Sequence, residues 1–277
     1  MINFNVINLH ITNKCNYSCK YCFGKFDGGE MSLSQAKQTI DSICQYFSCH
    51  KISNGRVNLA GGEPLLFPHL DTLIDYCYRK GIKVSIVTNG SLLTKERVQE
   101  WAGKVCQIGL SIDSTNVSTC LEIGRVCKKN ALSKDFLLNI AEAIKESGIE
   151  LKVNTVISSF NINEDLTSLY LSLSPKKLKL FQMHLVKGVN DECVNCSVST
   201  DAFLEHCRKY KSLPFNVVIE KQGDMENSYI MIDPCGKLII NNGGFYETLA
   251  DLTKENLSDV PIPIESHKFA LRYKNEV

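Results

Sequence analysis

The sequence predicts an α/β fold in which six strands, joined by helical crossovers, form an open or partial barrel. Short apolar runs alternate with helical patterns up to about residue 186, which is typical of repeated βα units around a parallel sheet. With 277 residues the chain can bury a sizeable core. Because the pattern changes afterwards, we expect a main domain at residues 1–186 and a small C-terminal extension at residues 187–277.

Each predicted element rests on a local pattern. Apolar runs predict strands at residues 5–11, 56–60, 83–88, 105–112, 150–157 and 177–185. Helical periodicity predicts helices near residues 32–47, 68–80, 94–102, 133–147 and 162–172, the first of them starting at the capping-box sequence Ser32-Leu33-Ser34-Gln35. In the extension we expect a helix near 199–211, a strand at 215–220 and a hairpin within 228–241 that turns at Pro234-Cys235-Gly236.

Composition and charge exclude several classes of partner. The chain has 31 basic and 30 acidic residues, so its net charge of +1 gives no long-range field that would attract nucleic acid or a membrane surface. No signal-peptide pattern and no long apolar run is present. The 13 cysteines are odd in number, and the chain is long for a disulfide scaffold. We therefore expect reduced thiols and a cytoplasmic location.

Three cysteines, Cys15, Cys19 and Cys22, form a CxxxCxxC array just after the first predicted strand. Three thiolates at this spacing can bind three irons of a [4Fe–4S] cluster and leave the fourth iron open to a substrate or cofactor. Zinc sites more often use paired CxxC or Cys/His sets, and no second pair lies at the usual short spacing. A zinc site and incidental cysteines are the alternatives to this predicted cluster.

Polar residues alternate with apolar ones in strands that should be buried on both faces. Asn8 lies in strand one, Lys152 in strand five, and Lys177 and Lys179 share one face of strand six. Exposure at a sheet edge could explain any one strand, but the repetition in three strands favours a lined cavity. Because buried lysines are costly unless an anion compensates them, the sequence predicts a polyanionic ligand such as a triphosphate.

Loops at the predicted strand ends supply further candidate ligand contacts. Gly61-Gly62-Glu63-Pro64 follows strand two, and its paired glycines let a ligand approach the backbone closely, although an ordinary tight turn has the same composition. Thr88-Asn89-Gly90-Ser91 follows strand three, and Ser111-Ile112-Asp113-Ser114 follows strand four. Ligand groups gather at the carboxyl ends of parallel strands.

The cysteine array, with Tyr21 before its last cysteine and Gly61-Gly62-Glu63-Pro64 one βα unit later, resembles the signature of the radical SAM superfamily. A narrower resemblance runs from about Phe4 to Asn242. The stretches Asn89-Gly90-Ser91-Leu92, Ile123-Gly124-Arg125, Lys152-Val153-Asn154-Thr155-Val156-Ile157, Lys179-Leu180-Phe181-Gln182 and Ser228-Tyr229-Ile230-Met231-Ile232-Asp233 resemble those of the viperin family and its prokaryotic members.

The resemblance implies a partial (β/α)6 barrel of the radical SAM type that holds a [4Fe–4S] cluster and S-adenosylmethionine, with the extension closing the substrate side. Viperins use the 5′-deoxyadenosyl radical to take the C4′ hydrogen of a nucleoside triphosphate. Loss of the 3′ hydroxyl then gives a 3′-deoxy-3′,4′-didehydro nucleotide, an antiviral chain terminator. CTP is the expected substrate, with UTP and GTP as alternatives, and flavodoxin or ferredoxin is the expected electron donor.

The resemblance also implies roles for individual residues. The cluster ligands would be Cys15, Cys19 and Cys22; the cofactor contacts Gly61, Gly62, Glu63, Thr88, Asn89, Ser111, Arg125 and Val156; and the triphosphate contacts Asn8, Lys152, Lys177 and Lys179. Tyr229 and Glu220 would lie near the reacting ribose, where the phenol of Tyr229 could supply the final proton or hydrogen atom. The alternatives are a packing role for Tyr229 and a solvated charge at a strand end for Glu220. Lys177 stands where animal viperin has an arginine. A lysine keeps the positive charge of the arginine but loses its bidentate geometry.

Two other functions stay open at this point. Cys193, Cys196, Cys207 and Cys235 could hold an auxiliary cluster, as in radical enzymes that mature peptides, but ordinary buried thiols are the default expectation. A non-catalytic iron–sulfur sensor would leave Arg125 and the inward lysines unexplained. The N-terminal amphipathic helix and the aromatic C-terminal tail of animal viperin are not found here, so we expect a prokaryotic, cytosolic relative.

Overall fold

The computed structural model describes residues 4–26 and 29–273. The chain divides into two compact units that are each built from separate segments. The first unit contains the described residues of Met1–Cys15, Gly24–Ile86 and Asp224–Val277, and the second contains Asn16–Phe23 and Val87–Gly223. The domain boundary that we expected at residue 187 stays a prediction.

The predicted elements are present within a few residues of their expected bounds. The strands are β1 (Val6–His10), β2 (Arg56–Ala60), β3 (Lys83–Thr88), β4 (Val105–Ser111), β5 (Glu150–Ile157), β6 (Lys177–Gln182), β7 (Asn216–Glu220), β8 (Met231–Ile232), β9 (Lys237–Asn242) and β10 (Phe245–Asp251). The helices are α1 (Leu33–Cys49), α2 (Leu70–Arg79), α3 (Lys95–Glu100), α4 (Val117–Ile123), α5 (Lys134–Glu146), α6 (Thr167–Leu173), α7 (Thr200–Cys207), α8 (Gln222–Met225) and α9 (Ser266–Tyr273). The α/β class is confirmed, while α4, α8, β10 and α9 were not predicted.

The first unit contains a mixed sheet in the order β10-β9-β8-β1-β2-β3. Three pairs of neighbouring strands are parallel, namely β8–β1, β1–β2 and β2–β3. Two pairs are antiparallel, namely β8–β9 and β9–β10. The predicted hairpin is therefore confirmed as β8 and β9, and its turn includes Gly236 at a φ of 82°. The isoleucine, leucine and valine side chains of β1 and β2 are fully buried, and Asn8 and Asn58 interrupt the apolar sequence of these strands.

Helix α1 shows how the sequence fixes an element of the first unit. Ser32 caps it, since its hydroxyl accepts from Gln35 N and the Gln35 side chain accepts from Ser32 N, as the capping box predicts. Ile40, Ile43 and Phe47 are buried on one face at helical spacing. At 17 residues α1 is an amphipathic helix. In residues 4–26 and 29–273, no helix is both long and apolar enough to cross a membrane.

The second unit contains four neighbouring parallel strands in the order β4-β5-β6-β7. Register partners in a parallel sheet point to the same face, so each row of partners forms a layer on that face. One row contains Gly109, Lys152, Lys177 and Asn216, and the next contains Ser111, Asn154, Lys179 and Val218. The predicted polar face of β5 and β6 is therefore confirmed as a single surface. Helix α5 packs against β5, α3 and α6.

Candidate active site

The segment Asn16–Phe23, called here the cluster loop, belongs to the second unit and is held by the C-terminal end of α4. Ser18 N donates to the carbonyl oxygen of Gly124 at 3.1 Å, and Lys20 N donates to that of Ile123 at 2.9 Å. Within the loop, Cys22 N donates to Cys19 O at 3.2 Å. These bonds satisfy carbonyl groups that a helix end would otherwise leave exposed, so they stabilise both α4 and the loop.

Gly124 is the residue that allows this contact. It ends α4 in the left-handed region, with a φ of 85°, and a Cβ built there would overlap the carbonyl oxygen of Ser18. Both facts favour glycine, the first because L-residues avoid this φ and the second because the two backbones touch. Ile123-Gly124-Arg125 therefore serves the site through its backbone as well as through its arginine.

Replacing Gly124 by alanine is expected to destabilise the protein more than the same change at Gly103. Both glycines have a positive φ, but a Cβ at Gly103 meets no atom, so Gly103→Ala isolates the conformational cost of about 1 kcal/mol. We expect Gly124→Ala to cost about 2–4 kcal/mol because the cluster loop must also move. Urea unfolding of both variants and the iron bound after reconstitution measure the difference. Equal stability of the two would show that the loop yields without cost.

The loop that follows β3 binds the cluster loop through polar side chains. The side-chain amide Nδ2 of Asn89 donates to Asn16 Oδ1 at 2.9 Å, and Asn16 Nδ2 donates to Ser91 Oγ at 2.8 Å. Thr88 has a different task, because its hydroxyl accepts from Gly90 N at 2.9 Å and closes the turn. Of the two residues predicted to contact the cofactor here, Asn89 thus adjoins the cluster loop and Thr88 shapes the turn beside it.

Arg125 is largely buried in the second unit. Its Nε donates to the buried carboxylate of Asp113, and its Nη1 donates to Ser111 O at 3.3 Å. Burial is the largest single effect and would lower the pKa of Arg125, but the charge of Asp113, together with Cys19, Tyr21 and the hydrogen bond to Asp113, raises the pKa well above its usual value. Arg125 lines a cavity together with Tyr17, Asn89 and Ser111. Three of the predicted cofactor contacts are therefore brought together around one cavity.

Two further groups of the second unit converge on Asp113. Tyr21 OH donates to Asp113 Oδ2 at 2.7 Å, and Val156 N donates to Asp113 Oδ1 at 2.8 Å. Burial, followed by the charge of Asp113, raises the pKa of Tyr21 well above its usual value, so the phenol remains a donor. Sequence reasoning did not select Asp113, although a carboxylate at the end of β4 was a signal for it.

The three lysines predicted to bind phosphate lie on the layered face of the second unit. Lys152, Lys177 and Lys179 are buried, and Lys152 is the register partner of Lys177. Lys179 Nζ lies 2.6 Å from an oxygen of Glu220, with 3% and 5% of the two side chains exposed. Two residues to which the sequence assigned separate roles thus form one buried ion pair.

The Gly61-Gly62-Glu63 loop belongs to the first unit and binds the segment that leads into Cys15. Gly62 N donates to Thr12 O at 2.6 Å, and Glu63 N donates to Lys14 O at 2.8 Å. A Cβ at Gly62 would overlap the carbonyl oxygen of Lys14, so this close approach requires glycine. The buried Glu63 carboxylate accepts from Leu65 N at 3.1 Å and caps the short turn Pro64–Leu66.

Asn8 lies in a hydrogen-bonded row of the first unit. Asn58 Nδ2 donates to Asn8 Oδ1 at 2.8 Å. Asn8 Nδ2 donates to Ile230 O at 3.0 Å and to the Tyr273 hydroxyl at 3.2 Å. Asn58 was overlooked in the sequence, where a polar residue within the apolar β2 was a signal. Nothing local indicated Tyr273, which comes from α9.

Tyr229 also contacts α9 within the first unit. The guanidinium of Arg272 lies over its ring at 3.4 Å from the ring centre. Arg272 in turn donates to Asp224 O and to Ser228 Oγ, both at 2.9 Å. The position of the phenol is therefore fixed by a cation–π contact with a largely buried arginine.

Cys15, Cys19 and Cys22 are thiols rather than parts of a disulfide, and each retains some exposure. Within the described part of the chain, no three potential metal-ligating side chains are already gathered around a common point. The accessible thiols of Cys19 and Cys22, on a loop whose backbone is anchored to α4, fit two ligands of a [4Fe–4S] cluster, and Cys15, at the end of a segment of the first unit, stays the third predicted ligand. The ligand assignment thus rests on spacing and thiol chemistry.

Cys193 and Cys196 form a disulfide, so the expectation of ordinary buried thiols is wrong for this pair. The short helical segment Asp191–Cys196 brings their Cα atoms to 5.0 Å, which lies within the range for disulfides. The bridge packs in a hydrophobic cluster with Tyr21 and Met183, against which Cys19 also packs. In this state the two cysteines cannot ligate the auxiliary cluster considered above.

Comparison with known proteins places this geometry in a family. The sequence model of the radical SAM superfamily matches residues 9–170. An S-adenosylmethionine-dependent nucleotide dehydratase of Selenomonas ruminantium is 34% identical over 267 residues, which cover 92% of each chain. One of Flammeovirga pacifica is 31% identical over 249 residues, covering 87% of this chain and 83% of that protein.

Solved structures agree on the fold. SuiB of Streptococcus suis bound to S-adenosylmethionine has a TM-score of 0.68 at 15% identity, covering 98% of this chain and 68% of that one. The enzyme anSMEcpe, bound to AdoMet and a peptide, has a TM-score of 0.68 at 16% identity, covering 91% and 78%. Identities of this size show the fold alone, and they confirm the predicted class. The chain therefore belongs to the radical SAM superfamily, whose cofactors are a [4Fe–4S] cluster and S-adenosylmethionine, and within it to the family of the S-adenosylmethionine-dependent nucleotide dehydratases.

Proposed function

We propose that this protein dehydrates a nucleoside triphosphate, and that Ser111 marks where the cofactor region meets the substrate region. Ser111 lines the cavity of Arg125 and lies in one register row with Asn154 and Lys179. The row before it contains Lys152 and Lys177. The observation that carries the proposal is that Ser111, which lines the cavity of Arg125, shares a register row with the buried Lys179, because buried lysines suit a bound polyphosphate.

When bound, the cluster and S-adenosylmethionine supply a 5′-deoxyadenosyl radical by reductive cleavage of the cofactor. The proposed substrate loses its C4′ hydrogen atom to that radical and its 3′ hydroxyl as water, with uptake of one further electron and one proton. The product is a 3′-deoxy-3′,4′-didehydro nucleotide.

The lysines of the second unit would bind the triphosphate. Lys152 and Lys177 are buried register partners, so a triphosphate bound at this face would lie beside two positive charges. Glu220 would orient Lys179 toward the same ligand through their ion pair. Asn154 Oδ1 is buried and accepts no hydrogen bond from the described residues, so it suits a donor on the nucleotide.

The remaining predicted contacts belong to the first unit. Gly61 and Gly62 would offer backbone groups to the methionine amino group, with Glu63 holding their turn through its cap. Tyr229, fixed by Arg272, would present its phenol to the ribose as the final proton or hydrogen donor. Asn8 would contact the triphosphate, with its side chain oriented by the hydrogen bond from Asn58.

The proposal includes five finer statements. CTP is the preferred triphosphate, with UTP and GTP as the next choices. A flavodoxin or a ferredoxin supplies the electrons, the enzyme works in the cytoplasm, and its product terminates viral RNA chains. Neither nucleic acid nor a membrane is a partner. The balanced charge of 31 basic and 30 acidic residues supports this last statement.

The decisive experiment is anaerobic. The reconstituted protein is given S-adenosylmethionine and dithionite with CTP, UTP, GTP, ATP or no nucleotide, and 5′-deoxyadenosine is quantified. We expect one triphosphate to stimulate cleavage by about tenfold or more and to yield a product lighter by one water. Equal cleavage under all five conditions would overturn the nucleotide substrate.

The other two functions give distinct outcomes in the same experiment. A peptide-maturation enzyme would cleave the cofactor without regard to nucleotide, and its second cluster would raise the iron to about eight per chain rather than four. The Cys193–Cys196 disulfide does not favour that reading. A non-catalytic sensor would release no 5′-deoxyadenosine at all.

A further inference from the structure

We propose that Asp113 is a positioning residue for S-adenosylmethionine, because its carboxylate joins the arginine of the cofactor cavity to the cluster loop. The inference rests on the proposed role of Arg125 as a contact of S-adenosylmethionine, whose carboxylate is the group that a guanidinium binds best. It does not depend on the identity of the second substrate.

Asp113 lies two residues beyond β4 and is fully buried. Its Oδ2 accepts from the Tyr21 hydroxyl at 2.7 Å and from Nε of Arg125, and its Oδ1 accepts from Val156 N at 2.8 Å. Both carboxylate oxygens are therefore engaged by donors from three separate segments of the second unit. A charged acceptor binds such donors about twice as strongly as a neutral one.

The backbone around Asp113 is fixed as well. Asn161 donates from its amide to Asp113 O and to Val156 O, both at 2.8 Å. Thr155 Oγ1 donates to Ile112 O at 2.6 Å. Because these bonds connect the end of β4 to β5, the position of the Asp113 carboxylate is fixed. The carboxylate in turn fixes the positions of its donors Tyr21 and Arg125.

The hydrogen bond from Arg125 Nε to Asp113 determines which donors of the guanidinium remain for a ligand. A guanidinium has five N–H donors, of which Asp113 engages Nε and Ser111 O engages one on Nη1. The other donors remain for a ligand in the cavity that Arg125 lines. Asp113 thus selects the edge of the guanidinium that is presented to a carboxylate, while its bond to Tyr21 fixes the loop between Cys19 and Cys22.

The test compares S-adenosylmethionine binding in Asp113→Asn with binding in the parent protein, both with a reconstituted cluster and without nucleotide. The amide keeps the shape of the side chain but removes its charge. We expect the dissociation constant to rise about tenfold or more. In cofactor cleavage, KM for S-adenosylmethionine should rise more than kcat falls. The change that the cofactor causes in the electron paramagnetic resonance spectrum of the reduced cluster should be weakened at a fixed cofactor concentration.

A matched control neutralises a neighbouring carboxylate. Glu164 accepts from Ser114 Oγ at 2.6 Å, next to Asp113, and contacts neither Arg125 nor Tyr21 in the described contacts. We expect Glu164→Gln to bind the cofactor within about twofold of the parent. If Asp113→Asn also binds within twofold while its iron content is normal, the positioning role is wrong.

A milder variant keeps the proposal testable should Asp113→Asn fail to fold. Tyr21→Phe removes only the hydroxyl that donates to Asp113 and leaves the ion pair with Arg125 in place. We expect its dissociation constant for S-adenosylmethionine to rise about threefold or more. An unchanged constant would overturn the coupling between the cluster loop and Arg125. Since no nucleotide is present in either assay, failure of the nucleotide proposal would leave these results unaffected.

Discussion

Cys19→Ser is expected to abolish the formation of 5′-deoxyadenosine. Cys19 supplies one of three predicted thiolates, and serine offers an alcohol that stays protonated at neutral pH and binds iron poorly. The loop around it should fold normally, because the backbone of Ser18 and Lys20 supplies its stronger bonds to α4, whereas the Cys19 thiol makes one long contact, 3.9 Å from Gly124 O. Iron content, visible absorption of the reconstituted cluster and 5′-deoxyadenosine are measured together.

Cys49 offers a matched control for this substitution. It is an exposed thiol at the end of α1, outside the cysteine array. Cys49→Ser should retain parental iron and parental cleavage. A Cys19→Ser protein with about four irons per chain and parental activity would contradict the ligand assignment.

Lys179→Met is expected to cost about 3–5 kcal/mol of unfolding free energy, because it leaves the buried Glu220 without the charge at 2.6 Å. Replacing both partners by apolar residues, as in the double variant Lys179→Met with Glu220→Leu, should recover most of that loss. Stimulation of cofactor cleavage by nucleotide should be lost in both variants, since the proposed phosphate contact is absent from both.

Urea unfolding of the single and double variants separates the structural role of the pair from its functional role. Recovery of stability without recovery of nucleotide stimulation supports phosphate binding by Lys179. Parental stability of the single variant would contradict a stabilising role of this ion pair. Full nucleotide stimulation in the stable double variant would remove Lys179 from the substrate site.

The strands and their polar face could be predicted because they depend on local sequence. Apolar runs located β5 and β6, and alternation placed Lys152, Lys177 and Lys179 on faces that the register confirms as one surface. The capping box at Ser32 fixed the start of α1. Such features arise from neighbours in the chain, so their period and spacing carry the information.

The contacts of the site could not be predicted, because they join residues that are distant in the sequence. Tyr21 and Asp113 are 92 positions apart, and no pattern within either segment indicates the other. Lys179 meets Glu220 because β7 pairs with β6. We predicted the strand at 215–220, but nothing in the sequence indicated its pairing partner. Helix α4 was missed because it is short and begins with Val117-Ser118-Thr119, residues of modest helix propensity.

The disulfide between Cys193 and Cys196 affects how the redox state of a preparation is described. A dithiol–disulfide couple takes up electrons separately from an iron–sulfur cluster, and this one packs in the same hydrophobic cluster as Cys19. Electrons delivered to the protein would therefore divide between two acceptors. A reductive titration of this chain gives the electron count of the cluster only after the thiols of residues 193 and 196 have been quantified in the same sample.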